Sequence, residues 1–534
     1  MTERFNDIAR LVAAQRERFP DLDVLTFVSI AGDGALHDEA RSFAQLYDNG
    51  ARLALWLQEQ GIGQGDHVVL MMQNHPEFVE AMIASALIGA IFVPIDPRSM
   101  GEKLTYMLNA VEARVAVVGD YALAALRAAA SELRHLRTLM VIDAADSVEA
   151  PDGIALFHPA SIPADASPLV TTIPDQRSPM FLMFTSGTTG NPKAVVRTHL
   201  AHMRVMRGLL ALGVERTDIL HTGLPLCHIN AHATLSAALS LGIKGVISRK
   251  FTKTRLWDIC RAYGCTVFTL LGGMIPEIFS VPERPDDHDN PVRLIIASGM
   301  PADLWRAYEH RFGVVITEVY GSTEARGVLI NLKSSGPAGS MGKPPQGICA
   351  EILDEDGNPC PPDVPGELCF RLETGPHEQV EYFRNQQASA DKVRDGWFRT
   401  GDIAHRDAEG WFWFRHRTGG GVRRNGDFVN TALVETVLAT SPMVEDVFVY
   451  GVETARTVSG EKMLVAALVL TEGGTVDAAR QWAASRLQKS EIPEIWQVLD
   501  AIPKTVSEKP IERECIAALH SAGLVPGEQR EIMS

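Results

Sequence analysis

The chain is short of the residues that mark several protein classes. Its 534 residues include seven cysteines, at positions 227, 260, 265, 349, 360, 369 and 515. The number is odd and no two stand in a C-x-x-C spacing. That argues against a disulfide scaffold and a cysteine-held zinc, and for free thiols in a reducing compartment. Basic residues are in deficit, 50 Lys and Arg against 66 Asp and Glu, for a net charge of −16. That argues against nucleic acid as the main partner, because neutralising its backbone needs a basic surface. A small phosphate-bearing ligand in a local basic pocket is still allowed. No apolar run is long enough to span a bilayer. The longest, Ala81 to Ile95, is interrupted by Ser85 and Gly89 and ends in Pro94-Ile95-Asp96-Pro97, as expected of a helix leading into a buried strand. The first residues, MTERFNDIARLVAAQRERFP, contain no apolar signal core. The expectation is a soluble, cytoplasmic protein with no integral membrane association. No internal repeat or low-complexity tract is present.

What the chain does have is length for two or more domains and an alternation of apolar strands with amphipathic helices. Strands are expected at Val68–Met72, Ile91–Ile95 and Val115–Val118, with helices at Glu77–Ile88 and Lys103–Val111 between them. This βαβαβ order implies a parallel sheet covered by helices. Further strands are expected at Met180–Phe184, Thr266–Leu270, Leu294–Ala297 and Val314–Val319. The character changes after the aromatic run Trp411 to Phe414, where three glycines, Gly419 to Gly421, form a joint with wide backbone freedom. A domain boundary is expected there, dividing residues 1–418 from 419–534; a surface hairpin within one domain is the plainer alternative.

The most informative stretch is Phe184 to His199, FTSGTTGNPKAVVRTH. After an apolar strand come Thr185, Ser186, Gly187, Thr188, Thr189 and Gly190, then Lys193. Glycines let backbone N–H groups approach an anion, hydroxyls add rotatable donors, and the lysine adds charge, so the loop is suited to phosphate oxygens. Its spacing, G-x-x-G-x-x-K, is not that of a Walker loop. Tyr320-Gly321-Ser322-Thr323-Glu324 ends the strand begun at Val314, placing hydroxyls and a carboxylate at the carboxyl edge of the sheet, where ligands bind in α/β folds. Ser298-Gly299-Met300-Pro301 ends another strand in a tight turn. Trp397-Phe398-Arg399-Thr400-Gly401-Asp402 presents an acidic turn, and Pro503-Lys504-Thr505-Val506-Ser507-Glu508-Lys509 a basic tail segment.

In this order these motifs closely resemble those of the adenylate-forming superfamily, which includes acyl-CoA ligases, the adenylation domains of peptide synthetases and luciferases. The resemblance runs from about residue 40 to 515, and within the superfamily the chain looks most like carnitine/crotonobetaine-type CoA ligases. It implies a large N-terminal α/β domain of parallel-sheet layers and a small mobile α+β C-terminal domain. It implies ATP and Mg²⁺ as cofactors and coenzyme A as co-substrate. The loop at Thr185 to Gly190 with Lys193 would hold phosphates. Thr323 would contact the nucleotide phosphate, Glu324 would ligate Mg²⁺, Tyr320 would stack near the adenine, and Gly321 and Ser322 would complete that turn. Ser298 and Gly299 would pass beside the adenine and acyl group. Asp402 and Arg417 would hold the ribose. His228, in Pro225-Leu226-Cys227-His228, would border the acyl path. Lys509 would stabilise charge as pyrophosphate leaves. The strand-loop with Arg423, Arg424 and Gly426 would then face coenzyme A, with Gly426 lining the pantetheine tunnel.

The activity implied is an AMP-forming acyl-CoA synthetase acting on a small carboxylic acid. No Asp lies between Pro225 and Ser240, which argues against an α-amino acid. Candidate pocket residues His228, Asn230, His232, Gly272, Gly273 and Arg326 are more polar than a long acyl chain favours, so a small or medium acid with a polar or ring substituent is expected. The alternatives are a free-standing adenylating enzyme that loads a carrier protein and a non-catalytic nucleotide-sensing protein. Two positions depart from the family pattern: Glu508, where glycine is common, and Gly419, where the hinge usually carries Asp or Lys. The sequence leaves the oligomeric state open, a homodimer being one option.

Overall fold

The computed structural model describes residue 5 and residues 7–143, 148–185, 191–206, 208–272, 274–324, 327–374, 380–417, 421–424, 427–454, 457, 461–503 and 510–525. The first half is built as the alternation implies. His67–Met71, Ile91–Pro94 and Val115–Gly119 are parallel strands. They are almost wholly buried, which is why they read as unbroken apolar runs. The helices Pro76–Leu87 and Gly101–Ala110 connect them. These strands belong to a seven-stranded sheet, whose far edge is Pro179–Thr185 paired antiparallel with Lys193–Thr198. A second sheet, of eight strands, runs in the order Val328–Asn331, Val315–Gly321, Leu294–Ser298, Val267–Leu271, Ile219–Thr222, Lys244–Ser248, Asp23–Ile30, Leu36–Ser42. The observed strands match the expected ones to within a residue or two.

The register of the second sheet positions the site. Leu271 pairs with Ser298, and Ala297 with Glu318, in parallel ladders. The strands therefore end side by side, and the turns at Gly272, at Ser298-Gly299 and at Tyr320 open on one carboxyl edge. A third, five-stranded sheet between Ile348 and Arg417 is antiparallel throughout and was not anticipated from the parallel alternation. Its strand Trp397–Arg406 alternates buried and half-buried residues, and it carries Asp402 to the same edge.

Beyond lie the hairpin Gly421–Arg424 with Asp427–Asn430 and a three-stranded sheet, Val444–Val452, Met463–Leu470 and Ile495–Val498. Helices Thr431–Ala439 and Val476–Ala484 pack on these strands around Val434, Leu438, Leu464, Leu468 and Ala479. This is a smaller α+β domain with its own core. Thr418, Gly419 and Gly420, where the joint is expected, lie outside the described residues. The seven cysteines are unpaired thiols. No helix among the described residues is long and apolar enough to cross a membrane.

Candidate active site

The phosphate-loop strand is held at both ends of the turn. Thr185 pairs with Lys193 across the antiparallel ladder, and the Thr185 hydroxyl donates to the Lys193 carbonyl at 3.3 Å. Ser186, Gly187, Thr188, Thr189 and Gly190 lie outside the described residues. Lys193 Nζ sits 5.6 Å from the centre of the Tyr382 ring, an arrangement in which the aromatic face attracts the ammonium. Tyr382 in turn donates to Glu324 Oε1 at 2.7 Å. Burial pushes the Glu324 carboxyl up, but the Lys392 ammonium and the side chains of Tyr382 and Ser322 outweigh it and hold the group below the usual carboxylate range. Arg197, buried beneath, donates to the carbonyls of Thr323 at 3.5 Å and Glu324 at 3.2 Å. The turn Gly321 to Glu324 is thus anchored from below and keeps an ionised carboxylate at its end.

Tyr320 and Asp402, far apart in sequence, meet: the phenol donates to Asp402 Oδ2 at 2.5 Å. The Tyr320 ring stacks on Phe370 with centroids 6.1 Å apart. The Asp402 turn is set by Thr400, whose hydroxyl accepts from the Asp402 N–H at 3.0 Å and donates to the Leu368 carbonyl at 2.7 Å. Arg417 stands opposite Asp402 in the antiparallel ladder, so the two residues expected to hold one ribose are cross-strand neighbours.

The turn at Ser298 is tied to the same strand as Tyr320. Ser298 Oγ donates to the Val319 carbonyl at 2.8 Å. Glu318 accepts from the N–H groups of Gly299 at 2.5 Å and Met300 at 3.0 Å. Burial pushes the Glu318 carboxyl up to about 7, against these donors and the Arg423 guanidinium. Gly299 has φ +89°, which L side chains rarely adopt. The space above it is taken by the C-terminal hairpin: a Cβ on Gly272 or on Gly299 would lie 2.6 Å from the Arg423 guanidinium. Arg423 therefore reaches the site. Arg424 does not join it. Its guanidinium donates to the carbonyls of Ser490 at 2.7 Å and Ile492 at 2.8 Å, and pairs with Glu494 at 3.1 Å. Gly426 and Lys509 lie outside the described residues, as do Gly273 and Arg326.

His228 follows the turn Pro225–His228, closed by its N–H on the Pro225 carbonyl at 2.9 Å. Its side chain is 42 % exposed, yet Nε2 is shut off from solvent, 3.8 Å from Asp96 Oδ2. The sulfur of Cys227 and the Asp96 carboxylate hold the imidazole pKa well above its usual value against burial. Burial would raise the Asp96 carboxyl, but His228 and Arg98 overcome it and hold it far below the usual range. His232, an expected pocket residue, is instead buried in the core. Its Nε2 lies 2.8 Å from the Leu226 carbonyl, and its ring packs on Phe181 and His202.

Four groups at the site were not singled out by sequence reasoning: Asp96, Glu318, Tyr382 and Lys392. Only Glu318 carried a local signal, a carboxylate inside the otherwise apolar strand VITEVYG.

Residues 12–376 match the AMP-binding enzyme family and residues 433–509 the AMP-binding enzyme C-terminal domain. The chain is 31 % identical over 503 residues to a medium/long-chain-fatty-acid–CoA ligase of Mycobacterium marinum, covering 91 % of this chain and 93 % of that protein. It is 27 % identical over 488 residues to a crotonobetaine/carnitine–CoA ligase of Salmonella paratyphi A, covering 88 % and 92 %. In fold it is similar to the o-succinylbenzoate CoA synthetase of Bacillus subtilis. A double mutant of that enzyme bound with a product analogue superposes with a TM-score of 0.77 at 22 % identity, over 94 % of this chain and 97 % of that one. The same enzyme in complex with AMP, at the same identity and coverage, superposes at 0.62. The chain belongs to the AMP-binding enzymes, in their acyl-CoA ligase branch.

Proposed function

We propose that this acyl-CoA ligase joins a compact carboxylic acid to coenzyme A in two half-reactions at the edge where Ser298, Tyr320, Glu324 and Asp402 converge, and that the arrangement described here is that of the second. In the first, a carboxylate oxygen attacks the α-phosphorus of ATP, and pyrophosphate leaves with the electron pair of the broken P–O bond. In the second, the coenzyme A thiolate attacks the acyl carbon. The new C–S bond replaces the C–O bond to AMP, and the thiol proton passes to solvent.

The roles follow from chemistry. Lys193 and the hydroxyl- and glycine-rich loop that Thr185 begins would offer charge and donors to phosphates. Asp402, aligned by the Tyr320 phenol, would accept from a ribose hydroxyl, and Arg417, its cross-strand neighbour, would share that task. The Glu324 carboxylate, kept ionised although buried, suits Mg²⁺, a hard cation that takes oxygen ligands. Bound there, Mg²⁺ would neutralise phosphate charge. His228, beside Cys227 and Asp96, would border the acyl group and favour an acid with a polar or ring substituent over a long alkyl chain. Lys509 would serve the first step and the Arg423 hairpin the second.

The observation that carries this reading is Arg423 lying over Gly272 and Gly299. Lys509 belongs to the same domain as Arg423, so its turn at the site requires the hairpin to leave. We take residues 419–534 as the mobile unit and Gly419–Gly421 as its joint. A reducing cytoplasm suits the seven free thiols.

The test is a panel of carboxylic acids assayed for coenzyme A-dependent AMP release, with mass-spectrometric detection of acyl-CoA in the absence of any carrier protein. Acyl-CoA from a polar or aromatic acid supports the proposal. Pyrophosphate release without acyl-CoA would favour a carrier-loading enzyme instead, and no release with any acid would favour a nucleotide sensor.

A further inference from the structure

Arg423 is delivered to the site by a second contact between the two domains, away from the nucleotide residues. The C-terminal turn Gln488–Glu491 docks on the start of the helix Gly101–Ala110. Lys103 Nζ pairs with Glu491 Oε1 at 2.6 Å, their side chains 18 % and 7 % exposed. Gln488 Nε2 donates to Ser99 Oγ at 3.0 Å, and both residues are buried. The other oxygen of Glu491 accepts from the Gln488 N–H at 3.0 Å, so the carboxylate that pairs with Lys103 also shapes its own turn. Gly101 makes the approach feasible: its φ is +60°, and a Cβ there would lie 2.7 Å from the Arg486 carbonyl oxygen.

This turn and the hairpin are tied to each other. Arg424 binds the carbonyls of Ser490 and Ile492 and the Glu494 carboxylate, and its neighbour Arg423 is the residue over Gly299. Docking the turn on Ser99 and Lys103 therefore sets where Arg423 lands. A swing of this domain that brings the Lys509 segment to the site breaks both contacts together.

We propose that Lys103–Glu491, with Ser99–Gln488, is a clasp that selects the thioester-forming arrangement, and that its four residues are positioning residues for the second half-reaction. The proposal rests on the two-step reading above. It also supplies what the glycine joint lacks. A hinge side chain could bias the domain toward one arrangement, whereas glycine favours neither, so the bias has to come from the docked faces. A buried ion pair suits the task, because removing one partner leaves the other charge desolvated in the docked arrangement only.

The test compares Lys103→Glu, Glu491→Lys and the double exchange Lys103→Glu/Glu491→Lys, with Glu491→Gln as a milder variant that still accepts the Gln488 N–H and guards against misfolding. Two rates are measured separately: pyrophosphate release with ATP and acid, and acyl-CoA formation from chemically made acyl-adenylate and coenzyme A. The single exchanges should slow thioester formation roughly tenfold, about 1.4 kcal/mol, and leave pyrophosphate release at or above the wild-type rate. The double exchange should recover part of the thioester rate, since it restores the ion pair while lysine at 491 cannot accept the Gln488 N–H. Equal losses in both half-reactions, no loss in either, or no recovery in the double exchange would overturn the clasp. Wild-type protein that makes no acyl-CoA from the supplied adenylate would overturn the two-step reading itself, and the clasp with it.

Discussion

Replacing Tyr320 by Phe isolates the contact that joins the two halves of the nucleotide site. The ring and its stacking on Phe370 are retained, and only the donor to Asp402 Oδ2, 2.5 Å away, is removed. Asp402 is 8 % exposed, so its carboxylate gains little from bulk water when the phenol is gone. A hydrogen bond to a charged group contributes about 1.5–3 kcal/mol net. Part of this returns when a water or a ribose hydroxyl takes the vacated lone pair, leaving roughly 1.5 kcal/mol, or about a tenfold effect. Asp402 is expected to orient the ribose, so the loss should appear as a rise of about tenfold in the KM for ATP, with kcat changed much less. The assay is pyrophosphate release at varied ATP and saturating acid, on protein whose thermal unfolding is recorded alongside. An unchanged KM with an intact fold would refute the claim that Tyr320 aligns Asp402 for the nucleotide. A fall in kcat alone would place the tyrosine in the chemistry rather than in binding.

Three further outcomes are expected. Lys509→Ala should slow adenylate formation by about 10²–10³, the usual effect of removing one contact to developing charge, while sparing thioester formation from supplied adenylate; parallel losses would show the lysine is not specific to the first step. Gly299→Ala meets both a left-handed backbone, roughly 1–2 kcal/mol for an L residue, and the Arg423 guanidinium. It should lower the melting temperature and depress thioester formation more than pyrophosphate release, and a variant that does neither would mean that the hairpin is not seated there during turnover. The Glu318 carboxyl is raised from 4.5 to about 7 by burial. The folded state therefore holds a proton that the unfolded state has released, and this group's contribution to stability is present below about pH 4.5 and is lost as pH rises through about 7, at most about 3 kcal/mol. Glu318→Gln should flatten the decline in melting temperature between about pH 4.5 and about pH 7, and an equally steep decline in the variant would show that Glu318 does not titrate as its burial implies.

Local sequence determined the strands of the parallel sheets and the turns at their ends, because buried strands must be apolar and turns that approach a ligand need glycine and hydroxyls. The run VVLMM, the turn SGMP and the turn YGSTE are each decided by a few adjacent residues, and the structure puts them where a reading along the chain expects. Contacts made between distant segments had no local signature. Tyr320 donates to Asp402 across 82 positions, Tyr382 to Glu324 across 58, and Gln488 to Ser99 across 389. Arg423 and Arg424 are neighbours in sequence, and only the tertiary structure sends one to Gly299 and the other back into its own domain. His228 and His232 both looked like pocket residues. Packing separated them, leaving His228 beside Asp96 at the cleft and sealing His232 among Phe78, Phe181 and His202. Backbone conformation and burial pattern follow from neighbours a few residues apart. Which charge faces which depends on how whole elements pack, and that is settled only when the sheets and the small domain come together.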